Sequence, residues 1–344
     1  MIELLIAVAG IAVMVRLIPS FMLYAGFSYP NAKFSAIPNS YIKEREVARL
    51  LELKNLEDIK NNVVSRDFIL EGETAREIQQ SVDASLVRII SMAKNDSPSK
   101  VQCFYDAYLE KIDAETIKKA VKSIMEGKET EGVAFSDAGK ELLEKLSGAE
   151  RDDVIPILRE HGYNVVPEMS YDDIENAIDR RSMEQLLSVR LPASCRKARD
   201  KFVKTMIDIR NIKTILRGKQ YGFEHLENYI LPGGWELSQW QIREMLKTGT
   251  IPEIISMLEG TSYMPYLRQA ITEFETEGVV ALERALDRCL IQMAGDISND
   301  NTLALGPGIR FLVEKELEAR NLKIIVKAVA EGLQEDARKV VVTV

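Results

Sequence analysis

Asp208–Gly222 reads DIRNIKTILRGKQYG, and 110 residues later Glu318–Gly332 reads EARNLKIIVKAVAEG. Asp208 aligns with Glu318, Arg210 with Arg320, Asn211 with Asn321, Lys213 with Lys323 and Gly222 with Gly332. Asp113–Lys122, DAETIKKAVK, is a fainter copy that keeps the acid, Ile117 and Lys118 but has Glu115-Thr116 in place of Arg-Asn. Two further blocks repeat in the same order. One is Ile78–Asp83, Ile174–Asp179 and Leu282–Asp287; the other is Leu56–Phe68, Arg151–Tyr163 and Ile251–Tyr263. From the Asp that closes the first block to the acid of the following copy the spacings are 30, 29 and 31 residues. Ordered blocks at near-constant spacing predict a triplicated unit of about a hundred residues.

Each copy of the segment has helical periodicity. Ile209, Ile212, Ile215 and Leu216 share one face, as do Ala319, Leu322, Ile325 and Val326, and Ala114, Ile117, Ala120 and Val121. The opposite face is cationic: Arg210, Lys213 and Arg217 form a stripe, repeated by Arg320, Lys323 and Lys327. Gly222 and Gly332 suit left-handed caps at the helix ends. The stripes have two readings. They pair internally with the recurrent Asp83, Asp179 and Asp287, or they line a shared site for an acidic partner.

The 344 residues allow two or three domains, and the triplication sets the expected division. It gives an apolar N-terminal segment at 1–28 and helical repeats at 29–130, 131–234 and 235–344. The composition is that of a globular chain, 46% hydrophobic and 28% charged, with few aromatics. No alternating run marks a sheet, so the expected class is all-α. Turns are expected at Ser28–Asn31, Lys94–Lys100, Leu231–Gly234 and Asp296–Gly308, where Pro, Gly, Asn and Ser collect. A net charge of −8 argues against nucleic acid. Three scattered cysteines offer neither a disulfide framework nor zinc spacing.

The first 27 residues stand apart. Leu4–Val15 is free of charge, Arg16 interrupts, and Leu17–Phe27 is again apolar. The stretch has the length of a membrane span, although a central Arg is costly there. A signal peptide and an interfacial or core helix are the competing readings. No catalytic constellation is legible: there is no phosphate loop, no GxSxG and no HExxH. His161 and His225 read as surface or capping groups, and the Met and Trp residues as core filler. No cofactor, metal or small-molecule substrate is indicated.

The acid-x-(Arg/Lys)-Asn-aliphatic motif at Asp208–Ile212 and Glu318–Leu322, its triplication, and Tyr29-Pro30-Asn31-Ala32-Lys33 together resemble the C subunits of archaeal-type and V-type ATP synthases. That family is related to the d subunit of the eukaryotic V-ATPase. The resemblance runs from Tyr29 to Val344 and departs at Glu115-Thr116, at Ala328 against Gly218, and in the length of the apolar start. It implies three pseudo-threefold related helical domains forming a funnel on the cytoplasmic side of the membrane. The implied work is mechanical and non-catalytic: a central-stalk socket joins the proteolipid ring to the central shaft, during proton- or sodium-driven ATP synthesis or ATP-driven pumping. The alternative is a membrane-tethered helical-repeat scaffold for an unrelated complex. Asp208, Arg210, Asn211, Lys213, Arg217, Glu318, Arg320, Asn321, Lys323 and Lys327 are the candidate interface or structural repeat residues.

Overall fold

The computed structural model describes residues 18, 21–63, 67–130 and 132–344. Most of the apolar N-terminal segment lies outside the described residues. The described chain is helical throughout and contains no strand. Helix α1 spans residues 21–36. It is followed by α2 (Glu44–Leu51), α3 (Leu56–Asn62), α4 (Ala75–Asp96), α5 (Ser99–Met125), α6 (Asp137–Leu146), α7 (Val154–Glu160) and α8 (Tyr171–Ser188). The second half comprises α9 (Ala193–Tyr221), α10 (Gln239–Lys247), α11 (Ile251–Ser256), α12 (Met264–Gln269), α13 (Ile271–Glu277), α14 (Val279–Asp300), α15 (Gly306–Glu331) and α16 (Gln334–Arg338).

The long helices α5, α9 and α15 organise the molecule. Each opens at a proline: Pro98 and Pro192 are the N-caps of α5 and α9, and Pro307 lies in the first turn of α15. Proline lacks the N–H that a first turn leaves unbonded, so it starts a helix without loss. Gly222 (φ 70°) and Gly332 (φ 72°) end α9 and α15 in the left-handed region. The second halves of these helices bury the faces read from periodicity, and two of those faces seed separate apolar clusters. Ala114, Ile117 and Val121 pack with Leu142, Leu158 and Ile178. Ile209, Ile212 and Ile215 pack with Met245, Ile254 and Leu286. Leu322 and Ile325 join a larger cluster that takes in α1–α4, the first halves of α5 and α9, and Val341 and Val342 near the C-terminus.

A buried acid begins each of these second halves and caps an incoming segment. Asp113 accepts from the Phe135 and Ser136 amides and from Ser136 Oγ at 2.6–2.8 Å. Asp208 Oδ2 accepts from the Trp235 and Glu236 amides, the Leu237 amide at 3.3 Å and the Tyr263 hydroxyl at 2.9 Å. Glu318 accepts from the Tyr41 amide at 2.9 Å, so its segment comes from the other end of the chain. The asparagines add to this. Asn211 exchanges two bonds with Leu231, whereas Asn321 ties Tyr41 to Val342. A short Thr116 holds that place on α5.

Gly234 packs directly on Asp208 Oδ1, and a Cβ there would lie inside the oxygen's van der Waals shell. Gly234→Ala is therefore expected to destabilise the isolated chain by about 1–3 kcal/mol. Chemical denaturation measures this, and an unchanged midpoint would refute the packing argument.

Several sequence expectations are corrected. Ser28–Asn31 is no turn but the middle of α1. Phe27 and Phe34 are buried, Phe34 stacks on Phe311, and Asn31 donates to the Thr302 and Ala304 carbonyls, so packing overrides the turn chemistry. The Lys94–Lys100 loop shrinks to Ser97-Pro98, because α4 continues to Asp96 and α5 begins at Ser99. The Asp296–Gly308 loop shrinks to residues 301–305, since Gly306-Pro307-Gly308 starts α15 rather than closing a loop. The tryptophans are not core filler: Trp240 is 67% exposed and Trp235 39%.

Candidate functional site

A cavity of about 1020 Å³ opens between the three long helices and is lined along them by the polar faces of the repeated segment. The geometry follows from the helices themselves. Their apolar faces are committed to the clusters, so the cationic stripes turn toward the space between them.

Three aspartates from α8, α14 and α4 meet these stripes. Asp179 accepts from Lys118 of α5 at 3.0 Å and from Arg210 of α9 at 2.7 Å. Asp287 accepts from Lys213 of α9 at 2.6 Å and from Arg320 of α15 at 2.8 Å. Asp83 accepts from Lys323 of α15 at 2.6 Å. The lysines stand five residues after Asp113, Asp208 and Glu318, and the arginines two residues after. Asp179 and Asp287 thus each bridge two successive long helices. The position on α5 that matches Arg210 and Arg320 is Glu115, which pairs with Lys118 on its own helix.

The electrostatics follow the burial. Desolvation pushes Asp287 up, but Lys213 and Arg320 outweigh it and hold the carboxyl below its ordinary value. Burial pulls Lys118 down, and Asp179 and Glu115 more than reverse this, leaving its pKa raised. Asp113, Asp208 and Glu318 go the other way: burial raises each carboxyl against the hydrogen bonds it accepts.

Arg217 pairs with Glu283 of α14, its Nη2 2.8 Å from Oε2, while Lys327 is exposed and makes no ion pair among the described residues. Asp208, Asn211, Glu318 and Asn321 face inward and away from the cavity, as caps and tethers. Sequence reasoning missed Glu283, four residues before Asp287 and on the same helix face, which is a readable signal. It also missed the pairing of Glu316 with Lys111 (2.6 Å) and with the Tyr108 hydroxyl, which fastens α15 to α5. No sequence repeat marks that contact. His161 Nδ1 lies 2.8 Å from the Ile157 carbonyl at the end of α7, and His225 is exposed. Among the described residues no group of His, Cys, Asp and Glu is arranged to hold a metal.

A family model described as ATP synthase (C/AC39) subunit matches residues 30–339. The chain belongs to that family. Curated relatives agree. The A-type ATP synthase C subunit of Methanothermobacter thermautotrophicus is 28% identical, with 94% of this chain and 89% of the relative covered. Those of Methanocaldococcus jannaschii and Pyrococcus abyssi are 26% and 25% identical, covering 93% and 92% of this chain and 87% and 90% of theirs. As a C/AC39 chain it is a non-catalytic part of an ATP synthase.

Proposed function

We propose that this C/AC39 chain is the central-stalk socket of an archaeal-type rotary ATP synthase, joining the membrane ring to the shaft. In this reading three related helical units, with boundaries near residues 130 and 234, stand in pseudo-threefold order around the cavity and receive the foot of the shaft. The observation that carries it is the cavity between α5, α9 and α15, walled by side chains that are cross-braced to one another. A part that transmits torque needs walls that do not yield, and partly buried bridges between successive helices contribute to that stiffness. Phe21 and Met22 of α1 are exposed next to the apolar N-terminal sequence, which supports contact of this end with the ring or the lipid at the cytoplasmic face. Among the described residues no helix is long and apolar enough to cross a membrane.

The test is extraction of membranes in mild detergent followed by affinity purification through a C-terminal tag. Shaft and ring proteins of the ATP synthase are expected in near-stoichiometric yield. Recovery of the tagged chain with an unrelated complex would replace this reading by the scaffold alternative. A chain lacking residues 1–20 is expected to remain in the assembled complex but to lose membrane association when expressed without the other components.

A further inference from the structure

The bridging pattern around the cavity is broken at one of its three junctions, and the break has a chemical direction. Asp179 and Asp287 each hold two cations from two helices, and their side chains are 17% and 13% exposed. Among the described residues Asp83 pairs with Lys323 alone, and it is 30% exposed. The repeat position equivalent to Arg210 and Arg320, two residues after the buried acid of α5, is occupied by Glu115, with 69% of its side chain exposed. The cation of Glu115 is divided as well. Lys118 serves Glu115 at 2.7 Å, Glu175 at 3.4 Å and Asp179 at 3.0 Å. Among the described residues of α4 and α5 that line the cavity, the other cations are Lys111, engaged by Glu316, and Lys119, one position beyond Lys118. The α4–α5 junction therefore presents two accessible carboxylates where the other junctions present a closed acid–base bridge.

We infer that this junction is the receptor for a cationic side chain carried by the partner that fills the cavity. A partner arginine or lysine, seated between Asp83 and Glu115, takes the place that Arg210 and Arg320 fill at the other two junctions. The inference rests on the socket reading and adds what that reading lacks, a rotational register. A cavity with three equivalent walls would accept a shaft in three orientations; one open junction selects a single one. The match is by charge: two carboxylates at the cavity wall favour one guanidinium or ammonium and disfavour an acidic or apolar face.

The experiment uses the full chain and the purified central-shaft proteins of the same ATP synthase, with binding followed by calorimetry across a salt series. Glu115→Arg supplies the missing bridge from within the chain. It is expected to keep the fold, to lower shaft affinity by about tenfold or more, and to flatten the salt dependence. Glu115→Gln and Asp83→Asn are expected to weaken binding less, in the same direction, and carry the test if the arginine variant folds poorly. Lys247→Gln, on α10 and outside the cavity, is the control and should bind as wild type. Unchanged affinity and salt slope in both Glu115→Gln and Asp83→Asn would overturn the receptor assignment and leave the socket reading standing. A wild-type chain that fails to bind the shaft at all would sink the socket reading itself.

Discussion

Lys315→Ala is expected to cost the isolated chain about 3–5 kcal/mol, the range for removing one partner of a buried charge pair. Lys315 is 1% exposed in the interior of α15. Its ammonium donates to the Pro38 carbonyl at 2.6 Å, to Asp67 at 2.9 Å and to Glu318 at 2.7 Å. It also lies 5.8 Å from the ring centres of Phe68 and Phe311. One side chain therefore fastens the C-terminal long helix to two N-terminal segments, across almost the whole sequence. Truncation strands the buried carboxylate of Glu318, whose remaining partner among the described residues is the Tyr41 amide. The double variant Lys315→Met/Glu318→Gln removes the more deeply buried pair and keeps volume but leaves the Asp67 carboxylate without Lys315, so it is expected to recover part of the loss. Guanidinium denaturation of the three proteins checks both statements. A loss below about 1 kcal/mol for Lys315→Ala, the value of an exposed pair, would show that the site is open to water.

The second large effect belongs to Asp208. Asp208→Ala leaves the Trp235, Glu236 and Leu237 amides and the Tyr263 hydroxyl without their acceptor. A buried donor left unbonded costs about 1–3 kcal/mol, so the loss should reach about 3 kcal/mol or more even if water enters beside Trp235. Asp208→Asn keeps an acceptor oxygen and should lose less. The comparison of wild type with Asp208→Asn also has a pH signature. Burial raises the Asp208 carboxyl in the folded state above its unfolded value. The native state therefore takes up its proton at higher pH than the unfolded chain. This group penalises folding above its folded pKa, and the penalty disappears as pH falls toward the unfolded value of about 3.9. Wild type should gain on Asp208→Asn as the pH is lowered through that window. Asp287, held below its ordinary value, acts in the opposite sense, and its stabilisation is lost as pH falls through its folded pKa. A difference between wild type and Asp208→Asn that stays constant from pH 7 to pH 4 would contradict the burial of a raised carboxyl at this position.

The fixed-offset copies determined the helices, their buried faces and their ends. Ile209, Ile212, Ile215 and Leu216, and their counterparts on α5 and α15, are all interior. Those faces were legible because amphipathic periodicity is a local property of the chain, and the capping glycines mark a local backbone conformation. The recurring Asp83, Asp179 and Asp287 and the cationic stripes were legible as residue types at constant spacing, though not as pairs. Which lysine meets which aspartate is decided by the helix that packs alongside. Lys213 pairs forward to Asp287, Lys323 pairs to Asp83 from the other end of the chain, and Arg210 reaches back to Asp179. Only the tertiary structure could bring Tyr41 to Glu318, or Pro38 and Asp67 to Lys315, because contacts over some 250 residues or more leave no periodic trace in sequence. The same holds for α1. Its Ser-Tyr-Pro-Asn stretch carries turn residues, and it is helical because Phe27 and Phe34 are buried and Asn31 bonds to the Thr302 and Ala304 carbonyls. Local chemistry determined the repeated helix, and long-range packing decided that three such helices enclose a cavity with one junction left open.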